Sequence, residues 1–422
     1  MPRTVDAANL ELAEIVRPGD GLIWGQACAE PLALVEALVA QRAALGGVEV
    51  FMGVNWSGTI RPEHADHLRL TAYCGAGHNR RLADAGVLDI CPYPYSQIGP
   101  LIRAGKIKCD VVLLQVSPPN ARGEYSLGLD VEYLAPAIDC ARSVVAEVND
   151  HVPWTSTERL LRAEDFALIT RSSRPPVPPP YGAPGDIEGR IAQHAAQFIP
   201  DGATLEFGLG SLPDAILAAL AGRRDLGVHS GLLCDGVARL AAQGVITNAR
   251  KSIDRGVTVG GVLMGTRTLF DFAHLNPRLQ LRSCEYTHHP AVLSRIERFV
   301  AVNSAVEVDL TGQVNAEIAG GSYVGAIGGQ LDFVRAANLS VGGASLICLP
   351  SSVGTRASRI VARLSGPVAT PRSEAGVFVT EWGAADLRGV PLARRAARMI
   401  AIAHPDFREG LERSAGEPGL TG

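Results

Sequence analysis

Lys108–Val116, KCDVVLLQV, decides the fold of this 422-residue chain. Five of the six residues after Asp110 are Val or Leu. A strand with one wet face alternates apolar and polar residues, whereas an unbroken apolar run suits a parallel strand covered on both faces. Ser117-Pro118-Pro119 then stops it, since proline has no N–H to continue a ladder. Ser143–Asn149, SVVAEVN, is a second buried strand, and Val131–Arg142 between them reads as helix. Upstream, Asp20–Ala27 and Val48–Val54 are extended. Pro31 opens an amphipathic helix, LALVEALVAQRAAL, at the position where its missing N–H is tolerated. Strands alternating with helices predict a doubly wound α/β fold with a parallel sheet.

Arg171–Gly185, RSSRPPVPPPYGAPG, interrupts the alternation. Proline and glycine at this density favour an extended connector. The expected division is an N-terminal α/β domain over 1–175, a Pro/Gly-rich linker over 176–186 and a C-terminal α/β domain over 187–422. Ala203–Phe207 restarts the strand pattern, Gly208–Ser211 turns, and Pro213 and Asp214 fall in the first turn of a helix, where both are favoured. Proline at the third glycine position makes this a poor dinucleotide fingerprint. Further strands are expected at Val257–Met264, Phe299–Val302, Ser345–Pro350 and Val377–Thr380, with a last helix in PLARRAARMIAIA.

Hydrophobic residues make up 47% of the chain and charged ones 19%, as in an ordinary globular enzyme. The net charge of −4 argues against a nucleic-acid face, which needs clustered Lys and Arg. No apolar run approaches the roughly 20 residues of a membrane span, and MPRTVDAANLELAEIV lacks the unbroken apolar run of a signal peptide. A cytoplasmic protein without membrane or nucleic-acid partners is expected. None of the eight cysteines forms a CxxC pair, so they read as buried thiols and no metal site is expected. His64, His67, Cys74 and His78 are the only suggestive grouping, and EHADHLRL around the first two reads as a solvated face. P-loop, GxSxG and HExxH motifs are absent from the sequence.

Chemistry is expected instead around Gly320–Arg335, GGSYVGAIGGQLDFVR, where five of the first ten residues are glycine. Bare amides followed by a helix N-terminus suit negative charge, either phosphate or a developing oxyanion. The segment before it, Ala301–Gln313, alternates as a strand and ends in a turn, which places the glycines at the mouth of a sheet. A merely flexible connection is the alternative.

Several segments, in order along nearly the whole chain, resemble the acetyl-CoA hydrolase and CoA-transferase family. They include DVVLLQVSPPNARGEYSLG (Asp110–Gly128), LEFGLGSLPDAIL (Leu205–Leu217), GVITNARK (Gly244–Lys251), DLTGQVNAEIAGGSYVGAIGGQLDFVR and FVTEWGAADLRG (Phe378–Gly389). The resemblance implies two tandem CoA-transferase-type α/β domains with mainly parallel sheets and the active site between them. It implies exchange of CoA between an acyl-CoA and a carboxylate acceptor through a glutamate that forms first an acyl anhydride and then a CoA thioester. Coenzyme A would be a substrate, with no bound cofactor, and the protein a homo-oligomer. Gly328 resembles the glycine whose amide helps form the oxyanion hole, and Glu381 resembles a second active-site glutamate.

Two positions depart from the pattern. Relatives carry the catalytic glutamate in a stretch resembling HTEMFSDG, whereas this chain reads His229-Ser230-Gly231-Leu232-Leu233-Cys234-Asp235-Gly236. Gly231 therefore stands at the nucleophile position. His288, two residues before Pro290, stands where relatives usually have asparagine. Glycine has no side chain to carry a covalent intermediate.

Three readings follow. A different carboxylate carries CoA, with Glu206 in LEFGLG placed beside the Gly208–Ser211 turn. Alternatively the protein hydrolyses a CoA thioester, or an activated bond in its acyl part, with Glu381, Glu206 or His288 as general base and Gly328 stabilising the oxyanion. In the third, it binds CoA esters without turnover. Gln115 and Ser117, at the C-terminal end of a parallel strand, and Gly231, Asn315, Gly325 and Gly329 are the expected substrate or CoA contacts.

Overall fold

A computed structural model describes residues 3–416. The first half builds an eight-stranded sheet from β1 (Arg3–Thr4), β2 (Gly21–Trp24), β3 (Val48–Met52), β4 (Leu68–Ala72), β5 (Leu88–Ile90), β6 (Val111–Val116), β7 (Ser143–Asn149) and β8 (Leu168–Ser172). Their order is β1-β8-β7-β6-β2-β3-β4-β5, with every pairing parallel. All six residues of β6 are buried. Because successive side chains point to opposite faces, Val112, Leu114 and Val116 enter one hydrophobic core while Val111 and Leu113 enter another.

The second half builds a six-stranded sheet from β9 (Thr204–Phe207), β10 (Gly227–Val228), β11 (Phe299–Ser304), β12 (Ala344–Cys348), β13 (Val377–Thr380) and β14 (Gly383–Asp386). The order is β10-β9-β11-β12-β13-β14, parallel except for the final antiparallel pair. Residues 173–185 contain no helix or strand and lead into the helix Asp186–Ala196. The core on the Val112 face continues without a break into Leu205, Phe207, Val300 and Leu346 of the second sheet, so apolar packing joins the two halves. Among the described residues, no helix is long and apolar enough to cross a membrane.

One local expectation holds only in part and another fails. The stretch EHADHLRL is a solvated face only in part: Glu63, Asp66, His67 and Arg69 are exposed, but His64 is buried and Leu68 and Leu70 are buried residues of β4. The strand expected at Val257–Met264 divides at Gly260-Gly261, with Thr258–Gly260 pairing Leu279–Leu281 and Val262–Leu263 pairing Leu232–Leu233. A Cβ on Gly261 would lie 2.6 Å from Glu132 Cγ and 2.7 Å from the Gly231 carbonyl oxygen. Only glycine admits so close an approach.

The same physics fixes the glycine-rich loop. After β11 the chain forms a short antiparallel pair, Glu307–Asp309 with Val314–Asn315, and Asp309 Oδ1 accepts from the Thr311 and Gln313 amides inside its turn. The loop then crosses to the first half before the helix Gln330–Leu339 begins. Gly75 N–H donates to the Gly325 carbonyl at 2.8 Å and Tyr95 N–H to the Gly328 carbonyl at 2.9 Å. Asp332 accepts from the Ser96 amide and hydroxyl at 3.1 and 2.8 Å. A Cβ on Gly325 would sit 2.0 Å from the Ala316 carbonyl oxygen. Gly325→Ala is therefore expected to cost about 1–3 kcal/mol, the usual range for overpacking. Urea unfolding measures this, and an unchanged midpoint would contradict the close-packed loop.

Candidate active site

The two halves enclose a cavity of about 130 Å³. The first half contributes Gln26, Tyr73, Tyr95 and Glu132, and the second contributes Glu206, Gly231, His288, Gly328 and Gly329 among others. Of the ten residues expected from sequence, Glu206, Gly231, His288, Gly328 and Gly329 meet here.

Glu206 is the third residue of β9, paired in register with Ala301 of β11. Asn303, two residues further along β11, donates from Nδ2 to Glu206 Oε2 at 2.8 Å. Burial pushes the Glu206 carboxyl up to about 8, and the Asn303 hydrogen bond opposes this only in part.

His288 follows the helical turn Cys284–Thr287. Its ring lies between Tyr95, with centroids 4.7 Å apart, and Phe333, at 4.5 Å. The Thr287 hydroxyl donates to the Ser283 carbonyl at 3.1 Å, and its oxygen lies 2.9 Å from His288 Nδ1. With the hydroxyl proton committed to a carbonyl, Nδ1 carries the imidazole proton and donates to Thr287 Oγ1. That leaves Nε2 with a free lone pair. Burial, with His229 nearby, lowers the His288 pKa to about 3, so the ring is neutral near pH 7.

The imidazole also explains why position 231 has no side chain. A Cβ on Gly231 would meet His288 Cε1 and Nε2 at 2.9 Å, and one on Gly329 would meet Nε2 at 2.6 Å. Histidine fills the space between these two glycines. Gly328 adopts the left-handed conformation, with φ of +53°, which costs glycine little and other residues more.

The remaining expected residues do not line this cavity. Both Glu381 oxygens are engaged, one by the Ser351 amide at 2.9 Å and one by its hydroxyl at 2.6 Å. Gln115 donates to the Cys28 carbonyl and accepts from Asn149 Nδ2. Ser117 Oγ donates to the Pro118 carbonyl and accepts from the Ser126 amide. Asn315 caps the turn before the glycine loop, accepting from the Glu317 and Ile318 amides and donating to Glu307 and the Ile318 carbonyl. Gly325 permits the loop crossing described above.

Sequence reasoning missed the first-half wall. Glu132 Oε2 accepts from Tyr95 OH at 2.6 Å and from Gln26 Nε2. Gln26 Nε2 also donates to Tyr95 OH, while Gln26 Oε1 accepts from Tyr73 OH and the Val54 amide. The available signal was a pair of acids, Asp130 and Glu132, in an otherwise largely apolar stretch, LDVEYLAPAI. The neighbours of Glu132, at 26, 73 and 95, are too far away in sequence to be grouped without the fold.

The acetyl-CoA hydrolase/transferase N-terminal domain profile matches residues 3–169, and the corresponding C-terminal domain profile matches residues 265–415. The chain is 38% identical over 395 residues to the 4-hydroxybutyrate coenzyme A transferase of Clostridium kluyveri, covering 92% of each protein. Among solved structures, RipA from Yersinia pestis superposes with a TM-score of 0.92 at 31% identity, covering 99% of this chain and 98% of RipA. A 4-hydroxybutyrate CoA-transferase from Porphyromonas gingivalis superposes with a TM-score of 0.83 at 33% identity, covering 97% of this chain and 96% of that one.

The 2.9 Å approach makes positions 231 and 288 a coupled pair. Gly231→Glu alone is expected to lose about 1–3 kcal/mol through overpacking, since Tyr95 and Phe333 leave the ring little room to retreat. Combining it with His288→Asn should recover most of that loss. A double-mutant cycle in urea reads the coupling, and strictly additive effects would contradict the shared volume.

Proposed function

The chain belongs to the acetyl-CoA hydrolase/transferase family, and from that premise we propose that it moves CoA between an acyl-CoA and a carboxylate, with Glu206 as the carrier. The observation supporting this is that the Glu206 carboxyl shares one small cavity with Gly328 and Gly329, while position 231 has no side chain to act. Ionised Glu206 attacks the thioester carbonyl, and the amides at Gly328 and Gly329 are proposed to hold the oxyanion. Collapse breaks the C–S bond and leaves an acyl anhydride on Glu206. The released CoA sulfur attacks the glutamyl carbonyl, expelling the first acid as its carboxylate and leaving CoA on Glu206. A second carboxylate reverses both steps.

A hydrolytic reading has one observation in its favour. His288 Nε2 accepts no hydrogen bond among the described residues, and at the cavity wall it is placed to orient a water as a hydrogen-bond acceptor, although its lowered pKa makes it a weak base. Thiol release from acyl-CoA without an acceptor would favour this reading over exchange.

Glu206→Gln is expected to abolish acceptor-dependent exchange, and exchange at the wild-type rate would remove Glu206 from the mechanism. The pH profile is a second test. A carboxyl pushed up to about 8 is only about one-tenth ionised at pH 7, and a nucleophile acts in its ionised form. Exchange should rise about tenfold from pH 7 to 9 before any higher-pH group intervenes. A rate that is flat or falling from pH 6 to 8 would contradict a Glu206 nucleophile.

A further inference from the structure

We propose that Glu132 is the acid of this site, keeping its proton on Oε1 and passing it to the CoA sulfur as the C–S bond breaks. The inference rests on the thioester reading of the cavity and extends it to a residue from the other half of the chain. The geometry assigns the proton to one oxygen. Oε2 accepts from both Tyr95 OH and Gln26 Nε2. The Gln26 amide group has no hydrogen to spare, because its second one goes to Tyr95 OH. Two donors pointing at Oε2 leave Oε1 as the oxygen that carries hydrogen. Oε1 has no hydrogen-bond partner among the described residues, and Glu132 lines the cavity.

Oε1 also lies close to Gly261, the glycine that packs against the Gly231 carbonyl. The point at which Gly261 would carry a Cβ is 2.9 Å from Glu132 Oε1 and 2.7 Å from the Gly231 carbonyl oxygen. Glu132 and the Gly231 carbonyl thus both pack against Gly261, and Glu132, Gly231 and Glu206 line the same cavity.

The surroundings favour the neutral form. Burial raises the Glu132 pKa well above the ordinary carboxyl range, and the adjacent buried Asp130 raises it further. Asp130 Oδ2 accepts from the Gln26 backbone N–H, while Oδ1 has no partner among the described residues. Tyr73, Tyr95 and Tyr133 face the pair from the first half, all with pKa values raised by burial. From the second half come the buried Cys284 thiol, neutral His288 and Glu206. No cation is among these neighbours; only the Tyr95 and Gln26 hydrogen bonds favour a carboxylate at 132, and burial together with Asp130 outweighs them.

The proton balance closes within the exchange cycle. Attack by Glu206 breaks the C–S bond, and Glu132 O–H transfers its proton to the departing sulfur to give CoA thiol and a Glu132 carboxylate. When that thiol attacks the glutamyl carbonyl, the proton returns to Glu132. Two carboxyls with separated affinities for protons, one attacking and one donating, are a known route to acid and base chemistry in one site.

Kinetics and infrared spectroscopy together test this. Glu132→Gln keeps the shape and the acceptor for Tyr95 but has no transferable proton. Its kcat should fall by about 10²–10⁴-fold with little change in KM, and any decline of the wild-type rate at alkaline pH should disappear. An active wild type whose Glu132→Gln variant keeps kcat within about threefold overturns the role of Glu132 alone. A wild type that turns over no acyl-CoA in a panel, with or without acetate, overturns the thioester reading and this role with it. In a Glu206→Gln background, the carboxylic-acid C=O stretch assigned to Glu132 by its loss in Glu132→Gln should persist above about pH 7. If Glu132→Gln does not fold, the same band is identified by its change in Glu132→Asp, and its titration in the ordinary carboxyl range overturns the proposal.

Discussion

The site depends on an imidazole wedged between two glycines. His288 has Tyr95 on one side and Phe333 on the other, and its ring edge takes the space that side chains at 231 and 329 would need. Glycine at 231 and histidine at 288 are thus one packing solution rather than two separate changes. The Thr287 hydroxyl fixes which ring nitrogen bears hydrogen, so the group at the vacated position is a neutral acceptor instead of a carboxylate. This moves the search for a nucleophile to the other carboxyls in reach.

Those carboxyls share an environment that disfavours charge. Glu206 and Glu132 are both buried in the same small cavity, and burial raises both. They differ in their partners. Each carboxylate accepts hydrogen bonds, Glu206 from Asn303 and Glu132 from Tyr95 and Gln26, but Glu132 also sits beside a second buried acid that opposes its ionisation. The attacking and donating roles proposed for them follow from that difference. Because Glu132 comes from the first half and Glu206 from the second, the chemistry requires both halves in register. The bonds from Gly75, Tyr95 and Ser96 to the glycine loop and Asp332 hold that register.

The fold was legible because long apolar runs leave few options. Val111–Val116 and Ser143–Asn149 became adjacent parallel strands, and Val377–Thr380 is a strand with the expected ends. What was misread locally depended on contacts distant in sequence. Gly261 breaks a strand because Glu132 and Gly231 press against it, and Leu68–Ala72 is a strand between Val48–Met52 and Leu88–Ile90 that a polar local context concealed. The site was legible in part for the same reason. Glu206 and the glycine loop carry their own signals, as a charge inside a strand and a cluster of bare amides. Gln26, Tyr95 and Glu132 form a network only once three strand-to-helix connections converge, and no short window of sequence contains two of them.

The central claim is that Glu206, and not a residue at position 231, takes up the acyl group and then CoA. Peptide mapping by mass spectrometry after incubation with an acyl-CoA and borohydride reduction reads this directly. The account predicts reduction of a single carboxyl, at Glu206, to the alcohol left by a trapped thioester. Label at any other carboxyl, or turnover with no label, would contradict it.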